Sequence, residues 1–171
     1  APYIGPGTRL VDYGAGNVRS VRNAIRALGF EVRDVASPAD ILAAERLVFP
    51  GVGAFGSAVG RLQADGYFEP LRRRLLEGRP FFGICIGLQV LFEGSEESLG
   101  ATGLGVIRGQ VRRFPPGPLA VPHMGWNGIA VRQRSALFAS YGGEKLYFVH
   151  SYRGVPDARD RDWVLATTNY G

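Results

Sequence analysis

The sequence is poor in reactive and soft side chains: one cysteine (Cys85), one methionine (Met124), one lysine (Lys145) and two histidines in 171 residues. A single cysteine excludes an internal disulfide framework and fits a reducing compartment, which points to the cytoplasm. No apolar run reaches the roughly 18 residues that a membrane helix needs. The opening stretch from Ala1 to Gly7 has neither a basic n-region nor an apolar h-region, so no targeting signal is expected. Glycine is frequent, at 25 residues, but without a period of three, which excludes a collagen-like chain. What is there is ordinary globular material, 46% apolar and 20% charged, enough for a core and too apolar for overall disorder. The length suits one domain over residues 1–171, burying roughly 70% of its unfolded surface.

The net charge is +5, from 20 basic and 15 acidic residues. The arginines are spread along the chain rather than patched, so neither nucleic acid nor a membrane is an expected partner. The one tight cluster, Arg72-Arg73-Arg74, falls in a helical pattern that should turn two of the three to water.

Strand and helix signals alternate through the first half. Arg9–Val11 reads as the end of a strand and runs into a glycine turn at Asp12–Asn17. Val18, Val21, Ile25 and Leu28 recur at helical spacing, with Gly29 in the C′ position. Phe30–Val35 alternates like a strand, and Ser37-Pro38-Ala39-Asp40 reads as an N-cap, a first-turn proline and an acidic third position. Arg46–Phe49 is a further strand, ending in Pro50-Gly51-Val52-Gly53. Helical patterns over Ala54–Gln63 and Phe68–Glu77, an apolar strand over Pro80–Ile84 and a helix over Ile86–Phe92 complete this half. The alternation predicts an open, mostly parallel sheet with helices on both faces. Later strand-like pieces, Val106–Phe114, Gly128–Arg132, Lys145–Tyr152 and Trp163–Thr168, predict an antiparallel extension of the same sheet. Pro6 disfavours central pairing in any strand that begins before it.

Cys85 stands in Gly83-Ile84-Cys85-Ile86-Gly87. A lone cysteine among apolar residues is commonly a small buried hydrophobe. Glycines at i−2 and i+2, however, are the spacing of a nucleophile elbow, where a strand turns sharply into a helix and carries a side chain out at the carboxyl end of the sheet. There the helix N-terminus favours thiolate, and the Ile86 amide points to where an oxyanion forms. Gly51-Val52-Gly53, at the end of the preceding strand, is either an ordinary βα turn or a second set of backbone donors facing the thiol.

The segment Gly83-Ile84-Cys85-Ile86-Gly87-Leu88-Gln89 resembles the nucleophile motif of the class I, triad-type glutamine amidotransferases. Asp12–Asn17, Pro50–Gly53, Phe92–Glu97, Pro122–Asn127 and Tyr147–Tyr152, in that order, resemble the glutaminase part of the imidazole glycerol phosphate synthases. The resemblance implies a flavodoxin-like α/β fold and a glutaminase that releases ammonia from glutamine through a cysteinyl thioester. It implies no cofactor and no metal. Cys85 matches the nucleophile. Val52, Gly53 and Ile86 match oxyanion-hole donors, and Gln89, His150, Ser151 and Tyr152 match substrate-binding positions. Asn17, Trp126 and Tyr147 match positions facing a (β/α)₈-barrel cyclase, separate or fused, that uses the ammonia in histidine biosynthesis. By residue type alone, Trp126 also fits a core position and His150 a strand position without chemistry. Alternation along one strand would set Ser151 opposite to His150 and Tyr152. The family compartment is the cytoplasm, or a plastid in plants.

The family's triad is completed by histidine and glutamate in a His-Pro-Glu segment. Neither His123 nor His150 is followed by Pro-Glu. The expectation is therefore a C-terminally truncated glutaminase domain. The alternative is a catalytically incomplete fragment or assembly module that only binds the cyclase.

Overall fold

A computed structural model describes residues 7–170. Four parallel strands make the central sheet: β1 (Thr8–Leu10), β2 (Val32–Asp34), β3 (Arg46–Gly51) and β4 (Phe81–Cys85), in the order β2-β1-β3-β4. Strand order reverses between β1 and β3. Open α/β sheets bind their ligands at the carboxyl edge near such a switch point. The expectation about Pro6 lies outside the described residues.

Helices cover both faces, as the alternation predicted. α1 (Val18–Ala27) packs Val18, Val21 and Ile25 on Leu10 and Val32. Leu47 and Phe49, one step out of phase with Leu10 in the β1–β3 register, face the opposite side. There they join Ile41 of α2 (Pro38–Ala43), Phe55, Ala58, Val59 and Leu62 of α3 (Phe55–Ala64) and Leu71 of α4 (Phe68–Leu76). α2 starts as the sequence predicts: the Ser37 hydroxyl accepts from the Asp40 amide while the Asp40 carboxylate accepts from the Ser37 amide, a full capping box.

α2 ends on arginines. Arg74 is fully buried, and its guanidinium donates to the carbonyls of Ile41, Ala44, Glu45 and Pro80 at 2.6–3.3 Å. Arg79 adds bonds to the Leu42 and Ala44 carbonyls. A planar fork with five donors can serve the orphan carbonyls of a helix end in this way. The basic cluster is thus less solvated than its pattern predicted. Arg73 is exposed and paired with Glu77, Arg72 is half-buried on the Leu104 carbonyl, and Arg74 is in the core.

After β4 comes a single turn, α5 (Ile86–Gln89), and then β5 (Phe92–Ser95). The helix predicted to run to Phe92 stops early because Phe92 pairs with Ile107 of β6 (Ile107–Arg113). The later strands do not extend the parallel sheet. β5, β6 and β10 (Tyr152–Pro156) form one small sheet. β7 (His123–Asn127) pairs with β9 (Leu146–His150), and β8 (Ala130–Val131) pairs with β11 (Ala166–Thr167). The strand read over Lys145–Tyr152 is broken at Ser151, where β9 leaves β7 and β10 joins β6. Strict alternation therefore does not carry across His150, Ser151 and Tyr152. A short 3₁₀ segment over Ala158–Trp163 is tied to β6 by Asp160, whose buried carboxylate accepts from the Arg108 amide (2.7 Å) and guanidinium (2.6 Å).

Candidate active site

Cys85 ends β4 and caps α5 with φ 54° and ψ −108°, and it is the one non-glycine residue at positive φ among the described residues. Such a backbone costs about 1–3 kcal/mol and persists only where the surroundings over-determine it. They do so here through the two flanking glycines. A Cβ on Gly83 would lie 2.5 Å from the Gly87 carbonyl oxygen, and a Cβ on Gly87 would collide with the Phe49 carbonyl. The elbow needs both hydrogens because the turn folds back on itself and onto β3.

Cys85 is exposed, so the reading of a buried small hydrophobe does not hold. Enough atoms still gather round its sulfur that desolvation pushes the thiol above its ordinary value. The Ile86 amide acts against this as a hydrogen-bond donor, and the Glu97 carboxylate adds to the rise. The expected helix-terminus effect is outweighed: α5 has only four residues, and a macrodipole that short is weak.

Gly51 stands beside Cys85 in the β3–β4 register, which sets the Val52-Gly53 turn next to the thiol. Gly51 has no room for a side chain, because the Tyr13 ring and the Ile86 side chain fill that space. Gly53 sits at φ +110°, a conformation that suits glycine, and Val52 is exposed. Among the described residues, neither the Val52 nor the Gly53 amide donates to a protein acceptor. The Ile86 residue is buried beneath the thiol. The structure thus gathers Cys85, Val52, Gly53 and Ile86 at the carboxyl edge of β3 and β4.

The four substrate-binding candidates meet one turn further on. The Gln89 side-chain amide donates to the Tyr152 carbonyl at 3.4 Å, and His150 Nδ1 lies 2.8 Å from the same oxygen. A carbonyl only accepts, so Nδ1 is the donor there, and Nε2 is buried without a protein partner among the described residues. Ser151 lies between them, half-buried, with its carbonyl accepting from Phe114. His123, cross-strand from His150, is buried, and desolvation first and then His150 push it below its ordinary value. The charge that bears on the thiol is that of Glu97.

The partner-facing candidates are all exposed, but they do not share one element. Asn17 caps α1, its side chain accepting from the Ser20 amide. Trp126 and Tyr147 form a cross-strand pair on β7 and β9, ring centroids 5.5 Å apart, and are 68% and 53% exposed, which settles Trp126 as a surface residue. Met124 and Val149, the next pair on that face, are equally open to solvent. Two shallow surface depressions, along residues 131–141 and 26–33, are not lined by Cys85.

Two residues near the site were not singled out from the sequence. Glu97 accepts from the Phe55 amide at 2.8 Å and so caps α3 from a distant turn, where the N-cap residue Ala54 has no side-chain oxygen. That missing cap was the available signal. Tyr13 crosses from the loop after β1 to donate to the Val52 carbonyl at 2.5 Å. Nothing local to its sequence announces that contact.

Residues 9–171 match the family described as glutamine amidotransferase class-I. The chain is 52% identical over 163 residues to the chloroplastic imidazole glycerol phosphate synthase hisHF of Arabidopsis thaliana, covering 95% of this chain and 28% of the relative. It is 45% identical over 169 residues to imidazole glycerol phosphate synthase subunit HisH of Geobacter sulfurreducens, covering 95% and 80%. The chain spans only about three tenths of the length of its hisHF relatives. Among solved structures, PurLQS from Thermotoga maritima matches with a TM-score of 0.70 at 19% identity, over 98% of this chain and 76% of that one. A glutamine amidotransferase crystal structure matches at 0.63 and 22% identity, over 85% and 71%. Both likenesses speak to the fold. No described helix is long and apolar enough to cross a membrane. By its match over nearly the whole length and its identity to the HisH and hisHF proteins, the chain belongs to the class I glutamine amidotransferase family, in its imidazole glycerol phosphate synthase branch.

Proposed function

We propose that this chain is the glutaminase part of an imidazole glycerol phosphate synthase and that Cys85 is its nucleophile. The observation that carries the reading is the strained, exposed Cys85 in register beside Gly51, with the free amides of the Val52-Gly53 turn alongside. The thiolate attacks the side-chain carboxamide carbon of glutamine, and its oxygen becomes an oxyanion held by backbone donors of Val52, Gly53 and Ile86. The C–N bond then breaks, the nitrogen takes a proton and leaves as ammonia, and a γ-glutamyl thioester remains. Water cleaves that thioester to glutamate and restores the thiol. Gln89, His150, Ser151 and Tyr152 hold the amino-acid end of the substrate.

Ammonia passes to a (β/α)₈-barrel cyclase, a separate subunit or a fused domain, seated on the face that carries Trp126 and Tyr147 and reaching Asn17. The exposed apolar cross-strand pairs Met124–Val149 and Trp126–Tyr147 suit such a contact, because monomers seldom leave such patches uncovered. The compartment assigned is the cytoplasm, or a plastid in a plant.

A second reading, that the chain binds the cyclase without cleaving glutamine, rests on one observation: neither His123 nor His150 is followed by Pro-Glu. A glutaminase assay of the full-length protein with the cyclase and its nucleotide substrate separates the two. Glutamate release that disappears in Cys85→Ser supports the first. Binding without glutamate release supports the second.

A further inference from the structure

The loop after β1 and the loop after β3 meet at the switch point of the sheet, and one side chain ties them. Tyr13 is buried, its ring packs edge-on to Phe49 (centroids 5.6 Å, 82°), and its hydroxyl fills the space that a side chain on Gly51 would take. From there it donates to the Val52 carbonyl oxygen at 2.5 Å. Burial first and then the neighbouring Cys85 push the phenol up to about 12, so it stays protonated and a donor at neutral pH.

A trans peptide points its C=O and its N–H in opposite directions. With the Val52 oxygen turned in to the buried Tyr13, the next N–H in the chain, that of Gly53, is turned out, and it has no protein acceptor among the described residues. Gly53 itself is at φ +110° with open space where a Cβ would be, so little else resists rotation of this peptide. Turned over, the unit would present a carbonyl oxygen, which repels an oxyanion, in place of the donor.

We propose that Tyr13 is a positioning residue for the glutaminase reaction: its hydroxyl latches the Val52–Gly53 peptide with the amide outward, ready to receive the oxyanion. This rests on the assignment of Val52 and Gly53 as oxyanion donors. Tyr13 acts through that peptide, its hydroxyl being committed to the Val52 carbonyl.

The test is Tyr13→Phe in the full-length protein with its cyclase, which keeps the ring on Phe49 and removes only the hydroxyl. Loss of one biasing hydrogen bond lowers the latched population without abolishing it, so kcat for glutamine hydrolysis falls about five- to tenfold while KM changes less than about twofold. Alkylation of Cys85 by iodoacetamide, which forms no oxyanion, stays within about twofold of the parent. A parallel fall in alkylation would instead place the effect on the thiol and overturn the proposal, as would an unchanged kcat. In the ¹⁵N spectrum of the protein, the Gly53 amide resonance shifts or doubles in Tyr13→Phe. An unmoved resonance overturns the latch whether or not glutamine is hydrolysed. Failure of the parent protein to release glutamate, with the resonance moving as expected, counts against the glutaminase reading alone.

Discussion

A methyl group at Gly87 would run into the carbonyl oxygen of Phe49. The first turn of α5 therefore lies directly on β3, and the angle at which Cys85 leaves the sheet is set by main-chain contact rather than by side-chain packing.

Gly87→Ala is expected to destabilise the protein by at least about 2 kcal/mol in urea unfolding, since backbone has to move to admit the methyl. Gly60→Ala is the contrast. Gly60 is an exposed position inside α3 with open space where the methyl would go, and removing glycine from a helix there should add about 0.5–1 kcal/mol. Equal effects at the two positions would contradict the close approach.

Glu97 bears on the thiol by its charge and on α3 by its hydrogen bond. Glu97→Gln removes the negative charge, so the pH midpoint of Cys85 alkylation should move down toward the ordinary thiol value. The amide of the new glutamine can still turn an oxygen to Phe55, so the melting temperature should change little. A midpoint that stays put would show that desolvation alone holds the thiol up.

The Asp160 carboxyl is held below the usual carboxylate range by hydrogen bonds from the Arg108 guanidinium and then from the Arg108 amide. A lowered folded-state value gives stability that is present above about pH 4, the unfolded aspartate value, and is lost as pH falls through the folded one. Asp160→Asn should therefore melt below the parent at pH 7, and the gap should narrow as the pH is taken toward 3. A gap independent of pH would assign the loss to packing.

Arg74 serves four carbonyls from within the core. Arg74→Met fills much of the same volume but removes all four of these donations, and the expected cost is about 3 kcal/mol or more in denaturant unfolding. A near-neutral result would mean that water reaches the end of α2.

Much of this was legible in the chain because it is written locally. Ser37-Pro38-Ala39-Asp40 specifies its own cap, and Gly83 and Gly87 mark the elbow because glycine alone fits where backbone meets backbone. The misses came where distant partners decided. Ile86–Phe92 is an apolar run that suits helix or strand, and pairing of Phe92 with Ile107 chose strand for its end. Ser151 breaks a plausible single strand because its two halves join different sheets. β7 contains Gly125 at positive φ and reads poorly as a strand until β9 lies beside it. Of the proposed site, Cys85, Val52, Gly53, Ile86 and Gln89 lie in contiguous motifs, whereas Tyr13 reaches Val52 across 39 residues and Glu97 reaches Phe55 across 42.

The chemistry stands or falls on whether Cys85 takes the γ-glutamyl group. The direct measurement is acid quench of the full-length protein turning over glutamine with its cyclase, followed by peptide mass spectrometry. The expected result is a γ-glutamyl thioester on the peptide that carries Cys85, absent in Cys85→Ala. Sustained glutamate release by the Cys85→Ala protein, or an adduct on another residue, would contradict it.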